Sequence, residues 1–265
     1  MAYTYFANYY DRLTGNVSYP ERARYFDTIM KQNTDHVELL LDLACGTGSL
    51  SAELVNLGYD VIGVDSSAEM LSFAASKAPG ALFLCQDMTS LNLYGTIDVT
   101  ICALDSLNHM IEEQELQRAF DRVAMFTAPS GLFIFDVNTV YKHRAVLGCN
   151  TFFYENEDCC CVWQNEYNEH HHIVTIDLDF FVKEGENYRR ESENFCERAY
   201  TPEELDGFIK AAGLETIAVY GDDTLDAPTE TTQRLIYVTR KLPVERGGIA
   251  ANNTKSIRIR RKTRL

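Results

Sequence analysis

The chain has 265 residues, which is enough for one sizeable α/β domain with an insertion but tight for two full domains. Hydrophobic residues make up 46% of the chain and charged residues 24%, a balance that argues against a disordered or fibrous protein. The net charge of −15 is uneven, because residues 242–265 carry seven basic residues and one acidic residue, leaving 17 basic and 38 acidic residues elsewhere. So acidic a surface repels phosphate backbones, which makes long nucleic acid an unfavourable partner unless the basic tail recruits it.

The N-terminal residues lack the basic start and the continuous apolar stretch of a secretion signal. No apolar run approaches the roughly 18 uninterrupted residues of a membrane-spanning helix. We therefore expect a cytoplasmic protein without a membrane partner. Eight cysteines occur without any C-x-x-C pair, so free thiols are expected in the reducing cytosol.

In chain order, helical patterns alternate with five apolar segments of strand character, at residues 38–43, 60–64, 81–85, 97–103 and 131–135. Residues 18–21 have the pattern of a capping box that begins a helix, and Ser66 is the predicted N-cap of the helix after the second strand. Such alternation predicts a buried parallel sheet with right-handed crossovers.

The sequence pattern changes over residues 150–198, where aromatic and β-branched residues alternate with polar ones. This pattern predicts an antiparallel insertion of three or four strands. A second capping box at residues 201–204 begins another helix, and strands at 214–220 and 234–239 complete the main domain. The basic segment 242–265 is predicted to be disordered.

Polar and glycine residues follow three consecutive strands of the predicted sheet. Gly46 and Gly48 form a turn between the first strand and its helix, where a ligand can approach the main chain closely. Asp65 ends the second strand, where a carboxylate can accept hydrogen bonds from both ribose hydroxyls of an adenosine. Asp87 follows the third strand and can receive an adenine amino group. These groups predict an adenosine-binding edge of the sheet.

At these residues the sequence resembles the class I S-adenosylmethionine-dependent methyltransferases, and in particular bacterial small-molecule methyltransferases with a β insertion. The resemblance implies a Rossmann-like α/β fold with a seven-stranded, mostly parallel sheet whose last strand is antiparallel. It also implies S-adenosylmethionine as cofactor, a cofactor-binding domain of residues 1–149 and 199–241, and an insertion of residues 150–198 acting as a substrate lid. Ala44 departs from the family, since many members have a third glycine there.

The resemblance assigns cofactor contacts along the whole cleft. Gly46 and Gly48 are expected at the amino-acid end of the cofactor, Asp65 at the ribose, and Asp87 with Met88 at the adenine. Tyr5 and Tyr10 resemble tyrosines that cover the cofactor in relatives, and aromatic faces attract a sulfonium cation. The full predicted set comprises Tyr5, Tyr10, Asp42, Ala44, Cys45, Gly46, Thr47, Gly48, Asp65, Ser66, Met70, Gln86, Asp87, Met88 and Leu104.

The methyl acceptor is expected at the end of the fourth strand, around Asp105, Asn108 and His109. His109 is the candidate catalytic base because its ordinary pKa lies near 6.5, and Asp105 can orient the acceptor or attract its positive charge. The alternative is that His109 only caps or packs the following helix. A small-molecule acceptor methylated at nitrogen or oxygen is the favoured substrate; the sequence leaves its identity and the oligomeric state open.

Other interpretations remain open at this stage. The glycine turn also fits a nicotinamide-binding dehydrogenase, although the third glycine of G-x-G-x-x-G would fall at Ser51. A methyltransferase acting on RNA or protein, and a non-catalytic adenosine-binding module, are further alternatives. His170 and His172 would share one face of a strand, but no third metal ligand has a recognisable spacing, so we predict no metal site.

Overall fold

The structure, a computed structural model, describes residues 17–155 and 158–243. Its main sheet has seven strands, in the spatial order β10-β11-β5-β4-β1-β2-β3. Only β11 runs antiparallel to its neighbours; all other pairs are parallel. The strands are Leu39–Leu43 (β1), Asp60–Asp65 (β2), Leu82–Cys85 (β3), Ile97–Cys102 (β4), Thr127–Asn138 (β5), Leu214–Gly221 (β10) and Arg234–Lys241 (β11).

Helices cover both faces of this sheet. Five α-helices occur in the described ranges, Tyr19–Asn33 (α1), Ser49–Asn56 (α2), Ala68–Lys77 (α3), Glu113–Phe126 (α4) and Pro202–Ala211 (α5). Apolar side chains of α1 and α2 pack in one core cluster, and those of α4 and α5 in a second. Short helical turns lie at Met88–Ser90, Ser106–His109 and Lys142–Leu147. None of the described helices is long and apolar enough to cross a bilayer.

The insertion is a separate four-stranded antiparallel sheet made of Thr151–Glu155 (β6), Cys159–Asn168 (β7), Ile173–Glu184 (β8) and Asn187–Arg198 (β9). Its strands pair in chain order. The buried face of β8 carries Val174, Ile176, Leu178 and Phe180, as their alternation with polar residues indicates.

The insertion contacts the main domain at the edge where β1, β2 and β4 end. Met70, near the start of α3, belongs to the insertion's own apolar cluster. The rings of His109 and Phe195 lie 5.2 Å apart between their centroids, which joins the segment after β4 to β9. The insertion therefore stands beside the edge where open α/β sheets bind ligands.

The predicted fold is confirmed, with local corrections. Ser18 precedes α1 but makes no side-chain cap, and Ser67, not Ser66, caps α3 by accepting from the Met70 amide. The fifth strand begins four residues earlier than predicted, because α4 passes into it directly at Thr127. His170 and His172 lie in the turn between β7 and β8 rather than on a strand, so the premise of a shared strand face is wrong.

Candidate functional site

The turn after β1 holds its shape through left-handed backbone angles and one carboxylate. Ala44, Gly46 and Gly48 have φ values of 59°, 54° and 74°. The Gly46 amide donates to Oδ2 of Asp65 over 2.8 Å. A Cβ placed on Gly46 would meet no atom of the described residues within 4 Å, so the main chain there is not covered by them. Backbone with no side chain in front of it is accessible to a ligand.

Asp65 is oriented by its own neighbourhood before any ligand binds. Its Oδ1 accepts the Ser67 amide over 2.8 Å, while its Oδ2 accepts the Gly46 amide. Burial raises the pKa of Asp65, and the backbone hydrogen bonds oppose that rise. Each carboxylate oxygen has a second lone pair, so the fixed carboxylate retains two acceptor positions for a diol.

Two cavities adjoin at Ala44 along the carboxyl ends of the strands. The first lies over the glycine turn, with an open volume of about 350 Å³, and the second lies over the ends of β2 and β3, with about 290 Å³. The first is lined by Tyr19, Asp42, Ala44, Cys45, Gly46, Thr47, Ser49, Leu50, Ala103, Leu104 and Ser106. The second is lined by Leu43, Ala44, Val64, Asp65, Ser66, Gln86, Asp87, Met88 and Met110.

Gln86 and Asp87 have structural partners as well as a place in the second cavity. The Gln86 side chain donates to the Asn92 carbonyl over 3.1 Å and accepts the Asn92 amide over 2.8 Å, which closes the loop after β3. Oδ1 of Asp87 accepts both the amide and the hydroxyl of Thr89. Met88 and Met110 supply apolar wall in the same cavity. The groups that remain available to contact an adenine are therefore Oδ2 of Asp87 and the two methionine side chains.

Three other predicted cofactor residues, Cys45, Gly48 and Thr47, lie mainly in packed surroundings. The Cys45 side chain belongs to an apolar cluster with Leu71 and Ala74, so only its backbone is suited to a ligand. A Cβ on Gly48 would lie 2.7 Å from the Cβ of Ala74, which makes this glycine a requirement of helix packing. Thr47 is buried, and its hydroxyl accepts from Nζ of Lys77 over 3.0 Å.

Asp42 is a buried carboxylate beneath the turn. It accepts the Ser51 hydroxyl from the first turns of α2. Burial raises the pKa of Asp42 to about 7, although the hydrogen bond from Ser51 acts in the opposite direction. Asp42 thus links the end of β1 to α2 and lines the first cavity from below.

The segment after β4 is held in an uncommon conformation beside the first cavity. Leu104 and Asp105 are consecutive non-glycine residues with φ values of 60° and 55°. Oδ1 of Asp105 accepts from Nη2 of Arg234 over 2.7 Å. Burial would raise the pKa of Asp105, but Arg234 and Lys142 lower it far below its usual range, so the group is ionised at physiological pH.

The structure separates the three residues of the predicted acceptor site. Asn108 is fully buried; its amide nitrogen donates to two carbonyls and its oxygen accepts the Asn138 amide. We therefore correct its expected role in acceptor binding, because every polar atom of this side chain holds the main chain. His109 lies against Phe195 of the insertion, and the first cavity is lined by the residues on either side of Asp105 rather than by Asp105 itself.

Some predicted residues lie outside the part of the chain that the structure describes. Tyr5, Tyr10 and the basic segment beyond Pro243 fall outside residues 17–155 and 158–243. Within those residues, no group of three or more histidine, cysteine or acidic side chains is arranged to hold a metal ion. The described cysteines are free thiols.

Sequence reasoning missed the charged side chains that fix the segment after β4. Asp136 lies near the carboxyl end of β5, an apolar strand, with no exposed surface, and it is paired with Arg22 and Arg234. Lys142 donates to Oδ1 of Asn138 over 2.8 Å, and burial together with Arg234 lowers its pKa. The available signal was an acid inside an apolar strand, since a buried carboxylate requires partners.

Comparison with known proteins decides the family. The chain is 32% identical over 245 residues to the putative methyltransferase YqeM of Bacillus subtilis, covering 91% of this chain and 98% of that protein. An S-adenosylmethionine-dependent methyltransferase from Clostridium acetobutylicum is 31% identical and superposes with a TM-score of 0.82, covering 91% of this chain and 99% of that one.

This chain belongs to the S-adenosylmethionine-dependent methyltransferases. A methyltransferase domain family model matches residues 40–131, which contain the glycine turn, Asp65 and the segment after β4. The fold is also that of an amino pentose methyltransferase from Micromonospora echinaspora with S-adenosylmethionine bound, at 20% identity, a TM-score of 0.74 and coverage of 91% and 99%. The predicted class I family and its cofactor are thus confirmed, and a nicotinamide-dependent dehydrogenase is excluded.

The residues present fit this cofactor. Gly46 leaves main chain exposed to open space, and the Asp65 carboxylate is held ready by two backbone amides. The two cavities meet at Ala44, so an elongated molecule can pass from one to the other. This arrangement suits a ligand with an adenosine at one end and an amino acid at the other.

Proposed function

We propose that this methyltransferase methylates a nitrogen or oxygen atom of a small molecule, and that an amine is the acceptor its site suits best. The observation that carries the proposal is the ionised carboxylate of Asp105, whose two chain neighbours, Leu104 and Ser106, line the first cavity. Among the described residues, no donor reaches its Oδ2, so this oxygen can accept from an acceptor ammonium or hydroxyl. The amino pentose methyltransferase with the same fold acts on a small amino sugar, which agrees with this class.

We assign the cofactor contacts as follows. Asp65 binds the ribose hydroxyls through the two lone pairs that its backbone partners leave available. The open main chain at Gly46 and the neighbouring wall at Leu104 bind the amino-acid end, while Asp87 and Met88 contact the adenine. When bound, the cofactor supplies a methyl group on a positively charged sulfur, which an acceptor lone pair can take.

The protein's own residues orient the acceptor and remove one proton from it. Because Arg234 and Lys142 keep the pKa of Asp105 low despite its burial, this group is unsuited as a base and suited to holding a positive charge. His109 is the candidate that removes the proton from an ammonium or hydroxyl, since histidine is the side chain that most often serves as a general base. The insertion, whose Phe195 contacts His109, excludes water from the reacting groups.

Cofactor binding is tested first, without any knowledge of the acceptor. Isothermal titration calorimetry with S-adenosylhomocysteine should show at least about tenfold weaker binding to Asp65→Ala, because a charge-assisted contact contributes about 1.5–3 kcal/mol. The matched control is Asp60→Ala, an exposed acid at the opposite end of the same strand. Equal affinity of Asp65→Ala and wild type would refute the site assignment.

Acceptor chemistry is tested by screening small amines, alcohols and carboxylates with methyl-labelled S-adenosylmethionine. With an acceptor found, Asp105→Asn and His109→Ala should reduce kcat by about 10²-fold or more, the usual size of acid-base contributions. Cofactor affinity should stay near the wild-type value. Labelling of RNA or protein but of no small molecule would favour the alternative substrate class, and unchanged turnover in both variants would remove these two residues from the mechanism.

A further inference from the structure

The Asp136 carboxylate stands out because all its hydrogen-bonding positions serve the segment after β4 or the arginines behind it. Oδ2 accepts the Leu104 amide over 2.8 Å and Nη1 of Arg22 over 3.2 Å. Oδ1 accepts the Asp105 amide over 2.7 Å and also binds Nη1 of Arg234. The side chain has no exposed surface, so water cannot replace any of these partners.

The two amides that Asp136 holds belong to the two residues with left-handed backbone angles. For non-glycine residues this conformation costs roughly 1–2 kcal/mol each, and it persists only where the surroundings enforce it. Charge-assisted hydrogen bonds to consecutive amides supply that enforcement. Leu104 lines the first cavity with Ala44 and Gly46, so the shape of the cavity wall depends on this conformation.

The arginines connect this point to distant parts of the chain. Arg234, at the start of β11, bridges Asp136 and Asp105, and Arg22 of α1 bridges Asp136 and Asp223. Both arginine side chains are at least 86% buried. The first helix and the reversed strand of the sheet therefore meet at a single carboxylate behind the cofactor cleft.

We propose that Asp136 is a positioning residue, which fixes Leu104 and Asp105 in the conformation that shapes the cofactor and acceptor wall. It touches neither ligand and acts through the two backbone amides, while Arg234 ties it to the Asp105 side chain as well. The inference rests on the proposed function in one respect, namely that Leu104 contacts the cofactor. Its tests are chosen so that the two proposals can fail separately.

The main test is Asp136→Asn, measured as S-adenosylhomocysteine affinity at a temperature where the variant is folded. An asparagine has one acceptor oxygen, and its amide nitrogen would face an N–H and an arginine, so one of the two amides is released. We expect at least about tenfold weaker binding, equivalent to ~1.4 kcal/mol. Arg234→Lys retains the charge but lacks the planar fork whose two Nη atoms reach Asp105 and Asp136 separately. It should give a smaller loss of affinity, and it serves as the test if Asp136→Asn does not fold.

The stability control lies at the amino end of β4, the strand that leads into Leu104 and Asp105. Oδ2 of Asp98 accepts the amides of Glu38 and Leu39 over 2.8 and 3.0 Å, at the amino end of β4 and away from the cleft. Asp98→Ala should therefore reduce the melting temperature while leaving cofactor affinity within about twofold of wild type. If Asp136→Asn likewise lowers the melting temperature but leaves cofactor affinity within about twofold of wild type, the role of Asp136 is only structural. That result would overturn the proposal.

A rescue experiment isolates the backbone conformation. Glycine adopts left-handed angles at little cost, so adding Asp105→Gly to Asp136→Asn should recover most of the lost cofactor affinity. The single variant Asp105→Gly provides the reference. If the double variant binds no better than Asp136→Asn, the proposed mechanism is wrong. If Asp65→Ala leaves the affinity for S-adenosylhomocysteine unchanged, the cofactor site itself is misassigned. A failed rescue with a normal Asp65→Ala result would instead overturn only the role of Asp136.

Discussion

The two glycines of the turn after β1 should respond to the same substitution in opposite ways. Both have left-handed φ values, 54° at Gly46 and 74° at Gly48. They differ in what an added methyl group would meet. At Gly46 no atom of residues 17–155 and 158–243 lies within 4 Å, whereas at Gly48 the Cβ and Cα of Ala74 lie at 2.7 and 2.9 Å. One substitution intrudes on ligand space and the other on the contact between α2 and α3.

The expected magnitudes follow from these surroundings. Gly46→Ala carries only the backbone cost of roughly 1–2 kcal/mol, partly offset by a stiffer unfolded chain. Gly48→Ala adds overpacking against a helix backbone, roughly 1–3 kcal/mol more. Gly46→Ala should nevertheless weaken S-adenosylhomocysteine binding by at least about tenfold, because its methyl group projects where the ligand approaches.

The assay combines urea unfolding with calorimetry on both variants. Gly48→Ala should lose more free energy of unfolding than Gly46→Ala by at least about 1 kcal/mol. Gly46→Ala should lose more cofactor affinity than Gly48→Ala, measured where both are folded. Equal losses of stability, or wild-type affinity in Gly46→Ala, would refute the assignment of the two glycines to ligand space and to packing.

Three further predictions concern the same domain. Because burial raises the pKa of Asp42 to about 7, the folded protein keeps a proton that the unfolded chain releases above about pH 4. The free energy of unfolding of the wild type should therefore fall relative to that of Asp42→Asn as the pH rises from about 4 to 7, by up to about 1.4 kcal/mol per pH unit. Urea unfolding of both proteins across this pH range measures the difference. A difference that does not change with pH would contradict the prediction. Ala44→Gly should keep cofactor affinity and change the free energy of unfolding by no more than about 1 kcal/mol in urea, since φ is 59° there. A chain ending at Pro243 should fold and bind S-adenosylhomocysteine like the full chain by calorimetry, and loss of either property would give the basic tail a structural role.

The fold could be predicted from sequence because its signals are local. Alternating apolar strands and amphipathic helices establish a parallel sheet, and period-two alternation in β8 establishes the antiparallel insertion. The glycine turn and the acid at the end of β2 identify the cofactor edge, since parallel strands bring their carboxyl ends together. Helix caps were less secure: Ser66 and Ser67 are neighbours of equal capping ability, and only the backbone angles choose between them.

The tertiary structure determined the contacts between residues that are far apart in the chain. Sequence identified Gly46 and Gly48 as a pair, but the proximity of Ala74 gives Gly48 its packing role. It placed Asn108 at the acceptor, whereas the ends of β5 and β9 occupy its amide. Asp136 and Arg234 are 98 residues apart, and no local pattern links them. Local propensity depends on neighbours in sequence, while the pairing of buried charges depends on neighbours in space, which exist only once the sheet has formed.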